Sequence, residues 1–137
     1  MTGEQLAFLT SQYPAASHTF IRREVEALRE LGWRIDTFSV RRPGADEVIS
    51  DADKAEADAT FYLLGQSTVS FVMAHAATFF SRPIRYLATL KLALGHRAPG
   101  ARGLFLGFAH FVESILLARE LKNRRTTHLH NHFANSA

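Results

Sequence analysis

The chain has 137 residues and a mass of 15.3 kDa, with 47% apolar and 21% charged side chains, a composition that excludes disordered, collagenous and low-complexity classes. Its length suffices to bury a core without disulfides or a structural metal. The lack of cysteine excludes thiolate nucleophiles, disulfides and cysteine-ligated zinc, and it fits a reducing, cytoplasmic compartment; the formal net charge is +3.

Met1 to Glu4 lacks the basic flank and long apolar core of a signal peptide. The run Gln5–Thr10 (QLAFLT), bounded by turn formers, predicts a buried parallel strand. A break follows from Ser11 to His18, where Pro14 restricts Tyr13 and where Ser17 or Thr19 can cap a helix. That helix, predicted for about 19–31, carries Ile21, Val25 and Leu28 on one face and pairs Arg22 with Glu26 on the other; Gly32 supplies the left-handed stop. Trp33–Val40, rich in β-branched and aromatic residues, predicts a second strand. Strand, helix, strand in this order favours a crossover between parallel strands, with both strand ends and the helix start on one rim.

After a loop, Asp51–Ala57 suits a short helix and Thr60–Leu64 a third strand. Thr68–Ser81 is apolar nearly all round, so it requires burial or lipid. Pro83 opens the next helix, about 84–95; His96–Gly103 reads as a linker, and a longer helix spans about 104–125. The most apolar later window, Gly103–Ala118, is interrupted by His110 and Glu113, and its roughly 16 residues fall short of the ~20 of a membrane span. Thr127–Phe133 closes the chain as a strand.

Charge is segregated along this order. Gly44–Asp58 holds Asp46, Glu47, Asp51, Asp53, Glu56 and Asp58 against Lys54 alone. No acid occurs from Ala59 to Val112, where Arg82, Arg85, Lys91, Arg97 and Arg102 lie among apolar runs. Such a stretch is either a solvated helix face or a surface for anionic headgroups. Nucleic acid is not expected, because the bases are not interleaved with aromatics in a binding motif.

Two features can carry chemistry. His128, His130 and His132 alternate in HLHNHFA, so on a strand all three imidazoles share a side. They can share a zinc, although no acidic or thiol ligand lies near in sequence; they can bond a substrate hydroxyl or phosphate at a strand end; or they simply pack. The loop Ser11–Thr19 places free N–H groups at a helix start, either as a plain cap or as an anion site, but without the glycines of a nucleotide-binding loop. His75, His96 and His110 read as structural, and no arrangement of residues points to hydrolysis.

The segment SQYPAASHTFIRREVEALRELGWRIDTFSVRRP resembles the amino-terminal part of bacterial family 4 glycosyltransferases that build exopolysaccharide such as colanic acid. Members typically open with an apolar strand, a proline loop and a Ser-Glu-Thr-Phe-Ile helix start; here Ser17, His18, Thr19, Phe20 and Ile21 stand there, with His18 in place of glutamate. The closing HLHNHFANSA resembles the family's His-x-His-x-His-Phe-Ala strand end, and the likeness spans essentially the whole chain. The resemblance implies an α/β, Rossmann-like parallel sheet with a helical insertion at about 68–125, forming an incomplete amino-terminal, acceptor-side half of a GT-B fold. It also implies a retaining transfer from a nucleotide sugar to a glycan or lipid-linked acceptor, with no metal and no cofactor beyond that co-substrate. By the same analogy His130 and His132 are the catalytic candidates, and Ser17, His18, Thr19 and Asn135 line the substrate cleft. The family's donor domain, with its paired glutamates, has no counterpart here, which implies a truncated chain inactive alone. Peripheral contact with the inner face of an anionic membrane is expected from the basic, apolar middle. The competing reading is a non-catalytic α/β module that binds metal, a partner protein or a membrane surface.

Overall fold

In the computed structural model, which describes residues 4–132, the apolar run extends as β1 (Gln5–Gln12). A single 3-10 turn, Ala16–His18, leads into α1 (Thr19–Glu30). Ile21 and Val25 of α1 are fully buried against Phe8, Tyr13 and Ile35, with Leu6, Leu28 and Trp33 packed around them. Each such aliphatic side chain contributes roughly 1.5–3 kcal/mol by leaving water. Arg22 and Glu26 pair at 2.7 Å across one turn, and Gly32 adopts φ +90° where the helix stops.

β2 (Arg34–Arg41) lies parallel to β1, in register from Gln5 opposite Arg34 to Gln12 opposite Arg41. α2 (Asp51–Ala59) follows, and the side chains of its Glu56 and of Thr60, just past its end, meet Thr37 on the face that α1 also covers. Arg29 of α1 pairs with Glu56 at 2.8 Å, so the two helices are tied over the sheet by a partly buried ion pair. β3 is only Phe61–Tyr62, shorter than expected, although the N–H groups of Leu63 and Leu64 still donate to the Ser39 and Val40 carbonyls. β4 (Thr126–Asn131) pairs with β1, also in parallel. The result is a four-stranded parallel sheet of order β3-β2-β1-β4 with flanking helices, a Rossmann-like α/β fold.

The chain divides into two compact units: residues up to Gly65 together with those from Asn123 onward, and Gln66–Lys122. The second unit contains α3 (Thr68–Ser81), α4 (Pro83–Gly95) and all but the last residue of α5 (Ala101–Asn123). Ser67 caps α3 by accepting from the Ser70 N–H, and Pro83 occupies the first turn of α4. His75 joins the three helices: its Nδ1 lies 2.8 Å from the Tyr86 hydroxyl and its Nε2 3.1 Å from the Val112 carbonyl. His96 is held more locally, its Nδ1 3.1 Å from the Leu92 carbonyl.

Two expectations change here. α5 starts at Ala101 rather than near Leu104, so Gly103 is helical; a Cβ there would strike the Ala98 backbone, and glycine lets the turn close. With 23 residues, α5 is long and apolar enough by composition to cross a membrane, unlike the shorter window read from sequence, but that alone does not make it a span. Of the two alternatives for α3, burial or lipid, burial is not met: only Ala74 is buried, while Val69, Val72, Met73 and Phe80 are exposed.

Candidate functional site

In the order β3-β2-β1-β4 the chain leaves β1 on one side to form β2 and returns on its other side as β4, so the winding reverses between β1 and β4. The crevice outside the carboxyl ends of two such strands is where open parallel sheets collect ligands, because the connections there diverge. The sequence places its unusual residues at this point. His130 is the register partner of Phe8, and the His132 N–H donates to the Leu9 carbonyl at 2.8 Å, carrying the ladder one residue past β4.

Phe8, almost fully buried, forms the floor. Its ring centroid is 5.0 Å from that of His130 and 5.7 Å from that of His132, and the two imidazoles stand 4.4 Å apart, edge to face. α1 supplies the wall. Phe20 meets His132 edge-on at 6.1 Å, and Glu24 Oε2 lies 3.3 Å from His132 Nε2. The His18 ring in turn stands 6.3 Å from Phe20. Residues more than a hundred positions apart thus meet because α1 begins where β1 and β4 end.

The expected site residues fall unevenly around this point. His130 is exposed and His132 half-buried beside it, and His18 is linked to His132 through Phe20. Ser17 and Thr19 are exposed at the helix start, but neither caps α1 through its side chain. The Ala16 N–H instead donates to Glu47 Oε2 at 2.7 Å, so an internal carboxylate meets one of the N–H groups that the loop offers to a cap or an anion. His128 lies farther back, opposite Leu6, with its Nδ1 3.2 Å from the Thr127 hydroxyl, and it does not join the other two. Asn135 and Phe133 lie outside the described residues. Sequence reading missed Phe8, Phe20 and Glu24; the signal was the four-residue spacing of Phe20 and Glu24, which stacks them on one ridge of α1.

Comparison with family models, with curated proteins and with solved structures finds no match to this chain. Two imidazoles can donate, accept or bind a cation, and the carboxylate of Glu24 can orient one of them or balance its charge. Nearby, the Tyr62 hydroxyl donates to the Tyr13 carbonyl at 2.8 Å and fixes the loop that follows β1. Burial holds the Tyr13 phenol above the ordinary tyrosine range, and the Glu56 carboxylate adds to the rise. Burial also raises Tyr62, against the opposing charge of Arg42, whose guanidinium sits 4.6 Å over its ring. Both phenols stay neutral at physiological pH; Tyr13 acts by packing, and Tyr62 by packing and by its hydrogen bond to the Tyr13 carbonyl.

Proposed function

We propose that the chain is the acceptor-side part of a retaining glycosyltransferase that assembles cell-surface polysaccharide, taking sugar from a nucleotide donor to a glycan or lipid-linked acceptor. The observation that carries this reading is the convergence of His130, His132 and the start of α1 outside the carboxyl ends of β1 and β4. The resemblance of SHTFI and HLHNHFA to the corresponding family segments agrees with that placement.

In such a transfer the acceptor hydroxyl must be oriented toward the anomeric carbon, and the leaving phosphate must be stabilised as its charge develops. An exposed imidazole at a strand end suits the first task, with His130 the better placed and His132 behind it. The exposed helix start at Ser17 and Thr19 suits contact with the polar face of a sugar.

A membrane-facing role for the three-helix unit belongs to the same reading. Phe80 and Ile84, 82% and 83% exposed, flank Arg82 at the α3–α4 turn, with Arg85 one residue on. Apolar side chains beside bases, in a stretch without acids, favour an anionic bilayer surface, where a lipid-linked acceptor would be found.

The direct test is a nuclear magnetic resonance titration of the isotope-labelled chain with a short prenyl-diphosphate-linked monosaccharide. The expected outcome is perturbation of His130, His132 and Ser17–Thr19. Perturbation confined to the three-helix unit, or none at all, would leave the chain without an acceptor site and would end the transferase reading.

A further inference from the structure

We infer that Glu24, His130 and His132 form a binding site for a divalent cation of the zinc class. One ligand atom from each residue lies within 4.8 Å of those of the other two. Zinc bound to nitrogen and oxygen at about 2.0–2.1 Å in tetrahedral geometry sets neighbouring ligand atoms about 3.3 Å apart. The Glu24 Oε2 to His132 Nε2 separation already has that length, at 3.3 Å. The remaining edges close by side-chain rotation of His130, which is exposed, and of Glu24, whose side chain is 42% exposed.

A second observation points the same way. His132 Nε2 is buried and has no hydrogen-bond partner among the described residues; the Glu24 contact does not have hydrogen-bond geometry. A buried ring nitrogen in that state is satisfied by donating its lone pair to a metal. Phe8 beneath both imidazoles and Phe20 at the edge of His132 keep water from one side, which strengthens a charge-based interaction. A simple ion pair between Glu24 and His132 would not require His130 at the same point. Two imidazoles and one carboxylate leave a fourth position open to water and select zinc, nickel or copper over magnesium or calcium, which prefer all-oxygen sites.

The inference goes beyond the transferase reading and does not depend on it. Zinc and an acceptor would compete for the same imidazoles, but zinc binding is measured with no sugar present. The test is calorimetric titration of the 137-residue chain with zinc chloride at neutral pH, with histidine ring resonances followed in parallel. One zinc per chain is expected, with shifts at His130 and His132 and little change at His128. Glu24→Gln should weaken binding roughly tenfold or more, since even outer-shell partners carry that much, whereas His128→Asn should leave it unchanged. Absence of binding, shifts centred on other histidines, or undiminished affinity in Glu24→Gln would overturn the inference. Should the variant misfold, the wild-type resonance shifts alone decide between these outcomes.

Discussion

Asp53 shows how a single carboxylate can govern one end of a helix. Its Oδ2 accepts from the Ser50 N–H at 3.0 Å and from the Ser50 hydroxyl at 2.7 Å, while the Asp53 N–H donates back to Ser50 Oγ at 3.0 Å. These bonds favour the charged form and hold the Asp53 carboxyl below its usual value of 3.8, with Arg22 at 3.2 Å adding a smaller pull. A carboxyl lowered on folding stabilises the protein above its unfolded pKa, and that stability is lost as pH falls through the lowered value. Asp53→Asn is therefore expected to cost roughly 0.3–1 kcal/mol at neutral pH, the usual scale for a negative charge in the first turn of a helix, and progressively less below about pH 4. Urea unfolding of both forms from pH 7 to pH 2 reads this; a gap that stays constant across the range would contradict it. The Ser50-x-x-Asp53 spacing is legible in the sequence as a capping signal. Glu24 is not: its partners lie more than a hundred positions away, and only the placing of β4 beside β1 turns an ordinary exposed helix residue into a neighbour of two histidines.

Element by element, the sequence reading holds where hydrophobic period and termination signals agree. α1 is marked by Ile21, Val25 and Leu28 at helical spacing and closed by Gly32, and the observed helix ends at Glu30 with Leu31 leading into that glycine. α3 and α4 are separated by Pro83 as expected, because the ring suits a first turn and cannot continue a helix. The reading fails where an element depends on tertiary approach. Gly103 looks like part of a linker because glycine usually breaks helices, yet here its missing side chain lets α5 begin against Ala98. Gly107 has the same use one turn later: a Cβ there would lie 3.0 Å from the Ala93 carbonyl oxygen and 3.2 Å from Arg97 Cβ. The 3-10 turn ahead of α1 is a second case, since its Ala16 N–H is served by Glu47 from a distant loop rather than by a local hydroxyl.

At the scale of the molecule, the sequence predicts parallel strands whose ends share a rim, and the sheet is parallel throughout. What sequence could not supply is the side of β1 on which β4 pairs, and that choice creates the reversal between β1 and β4. The separate three-helix unit carries the acid-free basic stretch and most of the exposed large apolar side chains. Reversing Arg82, Arg85 and Lys91 to glutamate should abolish most sedimentation with phosphatidylserine-containing vesicles, at about 1 kcal/mol for each base near the surface. Binding unchanged by that reversal would remove the membrane from the proposed function. Both the transferase and the zinc readings rest on the tip of α1 meeting the end of β4. Nuclear Overhauser contacts between the ring protons of Phe20 and His132, and of Phe8 and His130, measure that meeting in the intact chain. Both pairs should give contacts; imidazoles that touch only residues of their own strand would contradict the site from which both functions are argued.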